Sequence, residues 1–152
     1  MTHYSEEGAA CCIFYNYLVF LAGTSKISKR KMITAALEFT DEQCKRLDLN
    51  PSNFFWFMIK YIQPGAEELL PKGDAMHTLG TAVQCFLHEN SFEDTLVCAV
   101  NRGEDTDTAG TVTGGLAGAY YGYRSIPDRW IRQLKDKERL DEVAEGFLKL
   151  NS

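Results

Sequence analysis

The sequence predicts an all-α fold, and three observations carry that prediction. Apolar residues recur at helical spacing along almost the whole 152-residue chain. No run shows the period-two alternation of a half-buried strand. Capping residues, prolines and glycines stand where the apolar stretches should begin and end. The length suits one domain with a buried core, since domains commonly run to roughly 100–150 residues. With 45% hydrophobic and 24% charged residues, neither disorder nor a fibrous design is indicated.

The elements follow in order. Ser5 is an N-cap for a first helix over Glu6 to Ala22, closed by Gly23. Its run AACCIFYNYLVFLA, at about fourteen residues, is shorter than the roughly 20 needed to cross a bilayer, so a buried core helix is expected and no membrane partner. It also lacks a basic leading segment and a cleavage site. A second helix should span Ser28 to Phe39, and Asp41 should cap a short third through Asp48. Asn50-Pro51 reads as cap and first-turn proline of a helix through Ile62, whose aromatics, SNFFWFMIKYI, suit core packing, with base stacking as the alternative. Gln63 to Asp74, with two prolines and two glycines, is a loop that borders a candidate site. Helices resume over Ala75 to His88 and Phe92 to Val100, the latter behind an Asn90-Ser91 cap. Beyond a glycine-rich helix, Ile126-Pro127 starts a short helix carrying Trp130. Lys137 to Leu150 makes a final amphipathic one with Leu140, Val143, Phe147 and Leu150 on one side.

Net charge of -5 and a pI near 5.2 argue against a domain that draws affinity from nucleic-acid phosphates. The one basic cluster, Lys26 to Lys31, is expected to be a solvated helix end. Five cysteines, Cys11, Cys12, Cys44, Cys85 and Cys98, are odd in number, form no CxxC pair and sit in apolar surroundings. Buried reduced thiols in a cytoplasmic protein are expected.

The segment NRGEDTDTAGTVTGGLAGAYYG, residues 101–122, concentrates the chemistry. Asp105 and Asp107 stand two apart, interleaved with Thr106 and Thr108, before a helix expected over Ala109 to Tyr121. Two readings compete. Asp and Thr near a helix N-terminus satisfy free N–H groups and the positive end of the dipole, but one acid suffices for that. Two carboxylates and a hydroxyl converging on one point repel unless a cation separates them, and an all-oxygen set favours a hard ion such as magnesium or calcium. Asp105, Asp107 and Gly110 match three places of a calcium-loop pattern, but Ala109 and Leu116 fail its fifth and twelfth, which rejects it. Glycines 110, 114, 118 and 122 recur every four residues, each costing about 1 kcal/mol relative to alanine. The expected compensation is close approach of another helix backbone along that stripe.

These residues resemble a known family. Asn101-Arg-Gly-Glu-Asp105-Thr-Asp107-Thr108, the Gly/Ala-rich helix, Ala119-Tyr-Tyr-Gly122 and Ile126-Pro127-Asp-Arg-Trp130 are similar, in order, to the C-terminal signature of ADP-ribosylglycohydrolases. That pattern is roughly N-x-G-G-D-T-D-T, a small-residue helix, A-Y-Y-G and I-P-x-x-W. Thr78-Leu79 through Phe86-Leu87, Ser91-Phe92-Glu93 and Val100-Asn101 resemble the helix pair before it, and Met1-Thr2-His3 resembles the family's T-H segment. The resemblance implies a compact orthogonal helical bundle and a pair of magnesium or manganese ions. The implied activity is hydrolysis of ADP-ribosyl linkages on proteins, with an ADP-ribosylated protein as substrate.

It assigns Asp105, Asp107 and Thr108 to the metal site, the two aspartates as catalytic, and places His3 in the ADP-ribose pocket, where a capping or core histidine is the competing reading. Asp74 stands where relatives have tyrosine, and Glu104 replaces the second glycine of the G-G-D pair, where the backbone needs glycine's freedom. The family's T/S-D-D segment, which supplies the other metal ligands, has no match here. Residues 1–152 are therefore expected to be the C-terminal part of an incomplete domain, active when another chain or a longer parent supplies the N-terminal half. A non-catalytic, crystallin-like helical protein is the alternative. An unrelated bundle with a capping turn would require the linked motifs to be coincidence.

Overall fold

A computed structural model describes residues 5–150, and among these every regular element is helical. The eight α-helices are α1 (Glu6–Thr24), α2 (Lys29–Arg46), α3 (Ser52–Ile62), α4 (Ala75–His88), α5 (Phe92–Val100), α6 (Thr106–Tyr121), α7 (Asp128–Ile131) and α8 (Lys137–Leu150), with a 3-10 turn at Tyr123–Ser125. No described helix is long and apolar enough to cross a membrane. His3 lies outside the described residues.

The centre of the bundle is α4. Nine consecutive residues, Thr78 to Phe86, are buried, so neighbours surround this helix on every side rather than along one stripe. It packs against α6, α5, α3 and α1. The core is completed by Phe14 and Leu18 of α1, Met32 of α2, Phe54 and Met58 of α3 and Leu116 of α6. Phe14 meets Phe54 edge-on at 5.8 Å. Ser5 caps α1 as expected, its Oγ accepting from the Gly8 N–H at 3.1 Å.

Several expectations are corrected. Lys29–Arg46 is one helix where two were expected over residues 28–39 and 41–48. Met32, Ile33, Ala36, Thr40 and Cys44 continue a single buried face through the expected break, and Thr40 Oγ1 donates back to the Ala36 carbonyl at 2.7 Å. Asp41 is no cap: it pairs with Lys45 at 2.5 Å on the outer face. Nor does Asn50 cap α3: Pro51 holds the N-cap position with no side-chain cap bond, and the Asn50 N–H donates to Glu6 Oε2 at 3.0 Å. Lys29 of the basic cluster is not solvated, whereas Lys26, Arg30 and Lys31 are exposed. The Lys29 Nζ donates to the Phe86 and Glu89 carbonyls and to the Tyr121 hydroxyl.

The cysteines also divide. Cys85 of α4 and Cys98 of α5 form a disulfide, while Cys11 and Cys44 are buried thiols and Cys12 is exposed. Two sulfurs on facing helices are within bonding distance, a juxtaposition that only the packing of α4 on α5 creates. Helix α8 forms as expected, but Leu140, Val143, Phe147 and Leu150 all remain exposed.

The glycine stripe does not bring two backbones together. A Cβ at Gly110, Gly114 or Gly118 would meet Val100 at 3.2 Å, Leu96 at 3.6 Å and Phe92 at 3.9 Å. These three side chains repeat every four residues along α5 and lie in the shallow groove that the glycines leave on α6. Gly122, at φ +83°, ends α6.

Candidate functional site

Helix α6 starts at Thr106, earlier than expected, so Asp107 and Thr108 belong to its first turn and Asp105 precedes it. The chain enters through two left-handed residues, Gly103 at φ +78° and Glu104 at φ +58°. Asp105 follows at φ -81°, ψ 67°, the centre of an inverse γ-turn closed by the Thr106 N–H on the Glu104 carbonyl at 3.0 Å. Glu104 thus takes the backbone conformation that suits glycine, and its side chain is exposed to solvent. The turn is docked on the long loop: the Asp105 N–H donates to the Pro71 carbonyl at 3.0 Å.

The two carboxyl groups converge. Asp107 is held below the usual carboxylate range, first by a hydrogen bond with the Asp105 carboxyl, then by the Thr108 N–H and its own. The Thr108 N–H reaches Asp107 Oδ1 at 2.9 Å. Asp105 makes no side-chain capping bond to α6. Its carboxylate instead faces the loop, where a Cβ on Gly73 would sit 3.5 Å from Oδ2. Two carboxylates in contact repel when both are ionised unless a proton or cation lies between them.

With the Thr108 hydroxyl these donors are all oxygen, which suits a hard divalent ion. Three such donors fill about half of the roughly six positions of a magnesium shell. Among the described residues, no group of three or more His, Cys, Asp or Glu side chains could hold a metal. The acidic turn by itself therefore does not make a metal site.

A largely apolar cavity of about 250 Å³ opens beside the turn, with Thr108 in its wall. Sequence reasoning missed most of its lining. Cys12 and Tyr15 come from α1, Asp74, Thr78 and Leu79 from the start of α4, and Val112 from α6. Thr78 is buried and its Oγ1 has no hydrogen-bond partner. No periodic signal marks these positions, because the cavity exists only where α1, α6 and the start of α4 meet. Asp74, the departure from the family's tyrosine, caps α4: Oδ1 accepts from the His77 N–H at 3.0 Å, and Oδ2 lies 2.6 Å from His77 Nδ1. Cys11, also in the cavity lining, is inert as a nucleophile at neutral pH. Burial first, then Cys12, Asp74 and Glu7, push its thiol up to about 12.

The fold is an all-helical bundle with an acidic turn at the start of α6 and an apolar cavity beside Thr108. The family model described as ADP-ribosylglycohydrolase matches residues 1–152. The chain belongs to that family. A solved structure titled "ADP-ribosylglycohydrolase-related protein complex" superposes with a TM-score of 0.70 at 32% identity, covering 94% of this chain and 47% of its own. The ADP-ribosylarginine hydrolase Tri1 of Serratia proteamaculans is 34% identical over 86 residues, 57% of this chain and 24% of that one. The ADP-ribosylhydrolase ARH3 of Bos taurus is 35% identical over 84 residues, 48% of this chain and 23% of the relative. The chain thus spans about half the length of the solved relative, and its matches take in about a quarter of these two curated ones.

Proposed function

We propose that residues 1–152 form the C-terminal part of an ADP-ribosylglycohydrolase domain that hydrolyses ADP-ribosyl linkages on proteins. The observation that carries the reading is the Asp105–Asp107 contact, which leaves Asp105 unused as a side-chain cap and directly precedes Thr108 in the cavity wall. In this reading Asp105, Asp107 and Thr108 hold magnesium or manganese, two ions in the complete site, with further ligands from the N-terminal half on a longer parent or a partner chain. Bound divalent cations supply the positive charge that orients a ribose diol and favours ionisation of water. In this reading the apolar wall of Tyr15, Leu79 and Val112 excludes bulk water from the ribose. The orphaned Thr78 hydroxyl offers the cavity a polar anchor. His3 is assigned to the ADP-ribose pocket by resemblance alone. A cytoplasmic setting accords with three free thiols against one bridge.

The test is titration with Mn2+, followed by ADP-ribose release from a modified protein by the completed domain. Asp105→Asn should weaken Mn2+ binding at least about tenfold and abolish release, with helix content unchanged. Equal Mn2+ affinity in wild type and variant, or undiminished turnover, would remove the metal role. The second reading, a non-catalytic helical protein, draws on the absence, among the described residues, of any group of three or more His, Cys, Asp or Glu side chains placed to hold a metal. It predicts no release from the completed domain.

A further inference from the structure

We infer that Arg102 is a positioning residue for the acidic turn: its guanidinium locks the turn onto the 63–74 loop and so keeps Asp105 facing Asp107. The inference rests on the metal-site reading above for its functional meaning, and on packing for its geometry.

Arg102 stands three residues before Asp105, and its side chain is only 6% exposed. Burying a guanidinium is unfavourable unless most of its donors find partners. They do. One Nη donates to the Leu69 carbonyl at 2.8 Å and to Gln84 Oε1 at 2.6 Å. The other Nη donates to Cys98 Sγ at 3.7 Å, while Nε makes no hydrogen bond and has only the ion-pair contact with Glu68 at 3.2 Å.

Gln84, buried on the central helix, is committed to the same loop. Its amide donates to the Tyr61 and Glu67 carbonyls at 2.8 and 2.9 Å, and its Oε1 accepts the Leu69 N–H at 2.9 Å. Thr81, one turn earlier, donates to the Leu69 carbonyl at 3.0 Å. An irregular loop that cannot satisfy its own backbone is therefore held by three side chains, two from α4 and one from the segment leading into the acidic turn.

The turn meets that loop on two rungs. Arg102 grips Leu69, and two residues on the Asp105 N–H grips the Pro71 carbonyl. Past the second rung comes Gly73, where a Cβ would sit 3.5 Å from Asp105 Oδ2. Between the rungs lie Gly103 and Glu104, both left-handed, and Glu104 is held there against its own preference. With the Arg102 rung removed, the Asp105–Pro71 bond is the one backbone hydrogen bond left between turn and loop, and within the turn only the Thr106–Glu104 bond opposes relaxation of Glu104. The turn then loosens, and the Asp105 and Asp107 carboxylates, which repel, move apart.

The experiment compares wild type with Arg102→Met, Arg102→Gln and Arg102→Lys. Two quantities are followed: hydrogen exchange of the Asp105 amide by NMR, and Mn2+ affinity from the free-ion EPR signal. Arg102→Met should speed exchange at Asp105 and weaken Mn2+ binding, each at least tenfold, while amides of Leu18 and Ala36 in α1 and α2 keep their protection. Arg102→Lys should recover part of both. Arg102→Gln carries the test if the methionine variant does not fold. Unchanged Asp105 exchange in a folded variant overturns the inference. So does collapse of the whole fold in both the methionine and glutamine variants, which would make Arg102 a general stability residue. If wild type leaves the Mn2+ signal untouched while Asp105 exchange responds to the substitutions, the metal reading fails and the positioning role stands.

Discussion

Glu104 shows how one side chain can be tolerated where the backbone asks for none. An L-residue at φ +58° carries about 1–2 kcal/mol of steric cost, which glycine does not. Part of any gain on removing the side chain is offset, because glycine also loosens the unfolded chain. Glu104→Gly should therefore raise stability by about 0.5–1 kcal/mol, read as a shift of the urea midpoint at unchanged slope. The exposed Glu104 carboxylate makes no contact with the Asp105–Asp107 pair that would oppose this gain. A destabilised Glu104→Gly variant would mean that the left-handed turn is not a source of strain. The acid pair itself has a defined pH response. Asp107 titrates below its unfolded value, so its stabilising contribution is complete above about pH 4 and is lost as pH falls through the depressed value.

At the scale of the element, α6 uses its glycines in two different ways. The stripe facing α5 leaves room at Gly114, where a Cβ would meet Leu96 at 3.6 Å, an ordinary contact. Gly115 faces α1, and a Cβ there would lie 2.5 Å from the Tyr15 hydroxyl. Tyr15 can swing aside only by giving up its 3.0 Å hydrogen bond to the Val112 carbonyl. Gly114→Ala should then be neutral or stabilising by up to about 1 kcal/mol, and Gly115→Ala destabilising by about 1–2 kcal/mol. Thermal melts of the two single variants decide it, and equal effects would refute the distinction. The four-residue repeat was legible in the sequence. The fifth glycine's role was not, because it depends on a tyrosine 100 positions away.

Across the whole molecule, Lys29 ties three helices together. From the start of α2 its ammonium accepts no bond but donates to Phe86 at 2.7 Å and Glu89 at 2.5 Å, at the end of α4, and to Tyr121 at 2.7 Å, at the end of α6. It lies 4.7 Å from the Phe86 ring centroid. A cation at a helix C-terminus also opposes the negative end of its dipole. Lys29→Met keeps the aliphatic stem and strands those acceptors, so a loss of about 2 kcal/mol is expected from denaturant unfolding. A loss near zero would show that solvent replaces the ammonium. By contrast, no residue of α8 is buried, and its apolar side remains outside the core that Lys29 helps to close.

The sequence by itself determined the helices, their approximate ends, the long loop, the acidic turn and the family. These depend on local spacing, capping chemistry and linked motifs, which are written within a few residues of one another. It misplaced the middle of α2 because a buried threonine and an outward aspartate imitate a cap. Only the tertiary structure decided that Cys85 meets Cys98, that Lys29 points inward, that a cavity forms beside Thr108 and that Arg102 reaches Leu69. Each of these joins residues far apart in the chain, and such contacts are set by how helix faces pack, a property that no single stretch of sequence contains.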